Sequence, residues 1–230
     1  MRRHLSIAAV VLLLCVTGCS GDDHKDEHAS SKLTVFLTPG ATADQRDALR
    51  RELTTLPEVT SVTFVDKQAA YARYKEQFKD APDLLAAVQP DSLPESFEGT
   101  VSDGAFAEAV ATVLHAEPGV NTTIISPTTL RVAHGVVVEV TGRDPAMESA
   151  INGLAQAKSV TFESADAALT RLKKVCHADR ALADALTKDT VTASYRFVWT
   201  ETKATAGEPT LSLSKLNHGL GVQTIPVSLL

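Results

Sequence analysis

The chain has 230 residues and a mass of 24.4 kDa, with 44% apolar and 22% charged residues. That balance can bury a core, which excludes wholesale disorder. A net charge of −6 and a pI near 5.6 leave no basic face to neutralise phosphates, so nucleic acid is excluded as a partner. At the N-terminus, Met1-Arg2-Arg3-His4 supplies positive charge and Leu5 to Val16 is apolar apart from Ser6. Residues 1–18 therefore read as a signal peptide. Residues 19–32 carry no large apolar side chain before the next apolar run, which predicts a flexible tether. Its His24 and His28 have no preorganised ligand geometry and predict no metal site.

The remaining chain alternates strand and helix patterns. Leu33 to Leu37 is a β-branched and aromatic run stopped by Thr38-Pro39-Gly40, and Thr42 or Asp44 can cap a helix carrying Leu49, Leu53 and Leu56 on one face. Val59 to Val65 predicts a second strand. Asp66 caps a helix from Lys67 to Phe78, and Pro82 opens a shorter one to about Val88. A third strand runs from Leu93-Pro94 to about Val101, a helix from Ala105 to His115, and a last strand begins at Val120 after Pro118-Gly119.

The order then repeats. Ser61-Val62-Thr63-Phe64 recurs as Ser159-Val160-Thr161-Phe162, and holding that offset of 98 without a gap to Asp103 pairs 43 positions, 12 of them identical. Among the pairs are Tyr74 with Leu172, Phe78 with Cys176, Leu84 with Leu182, Val88 with Leu186 and Phe97 with Tyr195. Positions that stay apolar across a duplication are those a shared core needs. The second copy predicts strands at 135–140, 159–163, 191–200 and 222–227, and helices at 145–155, 165–176, 179–188 and about 209–217. The fold class expected is α+β: two ferredoxin-like (βαβ-αα-βαβ) sandwich domains, residues 33–126 and 135–230, each with an inserted helical lobe. No apolar run reaches the roughly 20 residues a membrane-crossing helix needs.

Two family resemblances follow from particular residues. Val16-Thr17-Gly18-Cys19, closing the leader, resembles a bacterial lipobox, which implies that Cys19 carries lipid and holds the protein at the outer face of the cell membrane. Leu93-Pro94-Glu95-Ser96-Phe97, with Val35-Phe36-Leu37, Leu56-Pro57-Glu58-Val59, Ala69-Ala70 and Gly119-Val120, resembles the extracellular domain of the permease-like cell-division protein FtsX over about residues 33–124. The second copy matches through its likeness to the first, with Thr192 in place of Pro94. In that family an α/β lobe carries a smaller helical lobe, and the helical lobe contacts peptidoglycan hydrolases or their activators outside the cell. The resemblance implies a protein partner, such as a cell-wall hydrolase or a division component. The candidate partner-binding residues are Tyr74, Phe78, Leu84, Leu85, Leu93, Pro94 and Phe97, more apolar surface than a lobe of about 35 residues can hide.

No catalytic or cofactor-binding pattern competes with this reading. The chain holds no Gly-rich phosphate loop, no His-Glu-x-x-His, no nucleophile elbow and no paired-cysteine motif, so no enzyme activity, cofactor or metal is expected. Cys176 and His177 are adjacent but point about 100° apart on a helix, and Cys176 in the register of Phe78 reads as a small buried side chain. His115 suits a helix C-terminus. The rival reading is a lipoprotein holding a small solute or cell-wall fragment between its two domains.

Overall fold

The computed structural model describes residues 29–127, 133–200, 222–225, 227 and 230. The leader, Cys19, nearly all of the tether, the Pro209–Asn217 helix and His218 lie outside the described residues. The protein is α+β, with two four-stranded antiparallel sheets and seven α-helices among those residues. In the first half, β1 (Ser31–Leu37), α1 (Ala43–Thr55), β2 (Val59–Val65), α2 (Lys67–Gln77), α3 (Pro82–Ala87), β3 (Ser96–Val101), α4 (Ala107–His115) and β4 (Val120–Pro127) follow one another. In the second come β5 (Ala133–Val140), α5 (Pro145–Asn152), β6 (Ala157–Glu163), α6 (Ala165–Val175), α7 (Arg180–Ala185), β7 (Ala193–Thr200) and β8 (Val222–Ile225). β1 begins at Ser31, which is fully buried, so the strand takes two residues that the composition assigned to the tether.

The sheets have the strand orders β2-β3-β1-β4 and β6-β7-β5-β8. Alternation explains β1: Leu33, Val35 and Leu37 point into the core while the residues between them face the other way. Gly40, at φ +87°, closes the turn after β1, a conformation a Cβ would strain. α1 starts on a capping box in which Thr42 Oγ1 accepts from the Gln45 N–H (3.2 Å) while Gln45 Oε1 accepts from the Thr42 N–H (2.9 Å). Its Leu49 and Leu53 then cover the sheet, each contributing roughly 1.5–3 kcal/mol by leaving water.

The two halves share a defect as well as a pattern. Ser61 and Ser159, 98 positions apart, both sit at positive φ (57° and 56°), and the ladder slips register at each, in β2 between Thr60 and Thr63 and in β6 between Lys158 and Thr161. β2 and β6 are the outer strands of their sheets, and a bulge there disfavours strand addition.

α4 fixes how the halves meet. Every residue from Ala107 to Leu114 is buried. Val110 and Leu114 join the core under the first sheet, whereas Glu108 and Thr112 line a cavity with Val137, Glu139 and Ser194 from the second sheet. β5 is therefore buried on both faces: Val136 and Val138 pack with Tyr195, Phe197 and Trp199, while Val137 and Glu139 meet α4. Tyr195 ties β7 to the start of α5, its hydroxyl donating to the Asp144 carbonyl (2.8 Å) and accepting from the Asp144 N–H (2.9 Å).

Candidate partner-binding site

The first helical lobe is built from α2, α3 and the short turn at Pro90–Ser92. Asp66 caps α2, its side chain accepting from the Ala69 N–H (2.8 Å), and Pro82 stands at the start of α3. Neither helix contains a buried residue. Tyr74 and Phe78 stack at 4.7 Å between ring centroids, and the Tyr74 hydroxyl donates to the Leu84 carbonyl (3.0 Å), which joins the two helices. Leu84 is 47% exposed, Pro94 is exposed, and Tyr74, Phe78, Leu85 and Leu93 are half-buried.

Phe97 is a correction. It is 1% exposed, in the core beneath the first sheet, with Phe64 at 5.1 Å and the Arg50 guanidinium 5.4 Å from its ring centroid. In β3 successive side chains alternate faces, and this position points inward, so Phe97 holds the sheet to its helices and cannot touch a partner.

The second lobe, α6 and α7, has the same construction with the opposite outcome. Ala168, Leu172, Cys176, Leu182, Leu186 and Val191 are all buried, none more than 4% exposed, and they belong to one continuous core with Leu49, Val110 and Leu114 of the first half. Their counterparts 98 positions earlier are Ala70, Tyr74, Phe78, Leu84, Val88 and Leu93, and not one of these is buried. The second lobe has thus seated its apolar side on the first half, whereas the first lobe leaves the same side half-buried, with Leu84 exposed.

A cluster of charges pins this seating. The Arg196 guanidinium, in β7 and 5% exposed, reaches both carboxylate oxygens of Glu108 on α4, at 2.6 and 3.2 Å. Arg171 on α6 also grips Glu108 with two nitrogens, at 3.0 and 2.7 Å, and holds both oxygens of Glu163 at 2.8 Å. Burial alone would raise the Glu108 pKa, but the Arg196 charge and the hydrogen bonds from both arginines outweigh it and hold the carboxyl below its ordinary range. The first lobe has the matching Arg73, but its partner there is Glu98, in the register of Arg196, and that ion pair is half open to water. One reversal of sign, Glu98 against Arg196, separates a pair internal to one half from a site that needs a carboxylate from the other. Glu108, Glu163, Arg171 and Arg196 were absent from the residues singled out in the sequence. The one sequence signal for them is the sign reversal at the 98-residue offset, Glu98 against Arg196, which the sequence reading did not use.

Cys176 is fully buried, and burial, followed by the nearby Asp179 and Glu58 carboxyls, pushes its thiol up to about 12, which suits packing and not reactivity. His115 Nε2 lies 3.8 Å from Glu139 Oε2 across the boundary between the halves. Among the described residues no group of three or more His, Cys, Asp or Glu is placed to hold a metal, and no helix is long and apolar enough to cross a membrane.

These features define a protein with two lobed α+β sheets, one lobe packed internally and one presenting apolar side chains. Residues 30–125 match the family of the FtsX extracellular domain, a likeness confined to the first half of the chain. No curated protein matches the chain.

Proposed function

We propose that the protein is a lipoprotein of the outer face of the cell membrane, anchored through an acylated Cys19, that binds a protein partner with its first helical lobe. In this reading it has no catalytic role and serves cell division or the control of cell-wall hydrolysis. Each half is a ferredoxin-like sandwich: in both sheets the third strand of the half lies between the first two and antiparallel to them, as a split β-α-β unit requires. The observation that carries the function is the state of six matched positions. Those of the second lobe are buried against the first half, whereas in the first lobe Leu84 is exposed and the other five are only half-buried, so Tyr74, Phe78, Leu84 and Leu93 present in part a side already used for docking elsewhere in the molecule. Leu85 and Pro94 extend that side. The FtsX extracellular domain match supports the partner being a protein.

Among the described residues, the cavity where the halves meet gives the rival reading, a solute held there, little space. The cavity lined by Glu108, Thr112, Val137 and Glu139 measures about 10 Å³, room for one water molecule at most.

Two experiments test the proposal. Cys19→Ala is expected to move the protein from the membrane to the soluble fraction and to remove the mass of the acyl chains; an unchanged membrane share would refute the anchor. Copurification of the full chain from its own membranes, in parallel with a Phe78→Ser, Leu84→Ser double variant, tests the lobe. A protein recovered with the first and lost with the second is the expected result, while equal recovery by both removes the lobe from consideration.

A further inference from the structure

α4 shows how this architecture receives a helix. It lies in the corner between the second sheet and the second lobe, where Glu108 and Thr112 share a cavity with Val137 and Glu139 of β5 and with Ala168 and Leu172 of α6. Two polar contacts hold it there: Arg171 and Arg196 grip Glu108, and Glu139 faces His115 at 3.8 Å. Glu108 and His115 are seven residues apart, so both belong to one stripe of the helix. The first half has the same corner. Thr34 is opposite Glu98 and Phe36 opposite Ser96, as Val137 is opposite Arg196 and Glu139 opposite Ser194, and Ala70 and Tyr74 of α2 stand for Ala168 and Leu172. In the second corner Val137, Glu139, Leu172 and Arg196 are no more than 5% exposed. In the first, Thr34, Phe36, Tyr74 and Glu98 are half-buried and Pro94 is exposed.

The two corners ask for different charges. Arg171, Arg196 and Glu163 leave one positive charge, which Glu108 meets. In the first corner Arg73 already pairs with Glu98, and Val65 stands in the place of Glu163, opposite Ser96 as Glu163 is opposite Ser194. That pair is neutral and carries no surplus charge for an acid to meet. Phe36 offers a ring where Glu139 offers a carboxylate.

We propose that the first corner seats an amphipathic helix of a partner protein, laid across β1 and β3 against the first lobe as α4 lies across β5 and β7. That helix is uncharged where α4 has Glu108 and apolar where α4 has His115. The inference rests on the first lobe being the partner-binding surface, and it adds Thr34 and Phe36 of the sheet to that surface. An acid at the first position faces the Glu98 carboxylate and gives up water without gaining a cation, so the corner selects against it. An apolar side chain at the second position covers the Phe36 ring, one of the wide aromatic surfaces that anchor such contacts. α4 itself, with its acid at the first position and its histidine at the second, is matched to the second corner and mismatched to the first.

The test is fluorescence anisotropy of two labelled synthetic peptides against the full chain. Both copy residues 104–118 with His115→Leu, and one also carries Glu108→Ala. The natural chain is expected to bind the Glu108→Ala peptide about tenfold more tightly than its acidic twin. Glu98→Arg gives the corner two cations and is expected to reverse that preference, which the peptides' own tendency to form helix cannot do. Phe36→Ser is expected to weaken both peptides, and the Glu98→Arg reversal carries the test if that variant fails to fold. Equal affinity for the two peptides, a preference unmoved by Glu98→Arg, binding unmoved by Phe36→Ser in a folded chain, or no binding of either peptide, as when another part of this chain fills the corner, overturns the helix seat. A partner that copurifies through Phe78 and Leu84 while the peptides fail would remove the helix and leave the lobe as the binding surface.

Discussion

The two helical lobes carry the same pattern of apolar positions and differ in what covers them. In α6 and α7 the apolar side completes the core of the other half, and in α2 and α3 the corresponding side stays half-buried, with Leu84 exposed. The substitutions follow that division. The seated lobe has the compact set Leu172, Cys176 and Leu182, suited to tight packing, and the open lobe has Tyr74 and Phe78, whose wide rings cover more surface and suit transient contact. A lobe of this kind is therefore defined less by its own fold, which both copies share, than by the surface it finds.

The charge cluster gives the sharpest way to break that contrast. Glu108→Gln takes from the buried Arg196 and from Arg171 the carboxylate that each of them grips with two nitrogens. Removing one member of a buried ionic cluster costs about 3–5 kcal/mol, because the remaining charge has no water to return to. Urea unfolding of the variant should show a loss of that size. A loss below about 1 kcal/mol would mean that Arg196 is reached by solvent and that the second lobe is not seated.

Next in size is a matched pair of truncations. Leu182→Ala opens a cavity in the joint core and should cost about 2–5 kcal/mol. Leu84→Ala, its counterpart in the open lobe, removes a side chain that is 47% exposed and should change stability by no more than about 0.5 kcal/mol. Equal losses in the two variants would show that the lobes are buried alike. Alkylation of Cys176 reports the same difference in another way. Its buried thiol, pushed up to about 12, should label in the natural protein only as fast as the second lobe opens, and faster in Leu182→Ala.

Much of the fold could be read from residue spacing. The alternation of Leu33, Val35 and Leu37, the Thr42 and Asp66 caps and the 98-residue offset gave the strand and helix order through β7, because these are local signals. What escaped was the relation between halves. Nothing local in Glu108 marks it as a buried ion, since a lone carboxylate in the first turn of a helix more often faces water. Phe97 escaped for a related reason: an aromatic residue beside Pro94 in a partner-binding motif looks exposed, yet the pleat of β3 turns it inward. The lobe residues themselves could be picked out, but that one copy of them is covered and the other open depends on packing that only the assembled halves reveal.

A charge exchange tests the open lobe on its own terms. Glu98→Arg gives the first half the residue that the second half has at the matching position. It breaks the Arg73 to Glu98 pair and places two guanidinium groups side by side, with Val65 where the second half has Glu163. If this lobe is open, both groups turn to water, the lost pair is a surface pair, and stability falls by less than about 1 kcal/mol. The remaining repulsion is screened, so the loss should shrink further as salt is raised from low to physiological strength. If instead part of this chain covers the lobe, the two cations are buried without a carboxylate, and the loss approaches the several kcal/mol expected for Glu108→Gln with little dependence on salt. Urea unfolding at two salt concentrations separates these outcomes, and a large loss insensitive to salt would place the first lobe in the same covered class as the second.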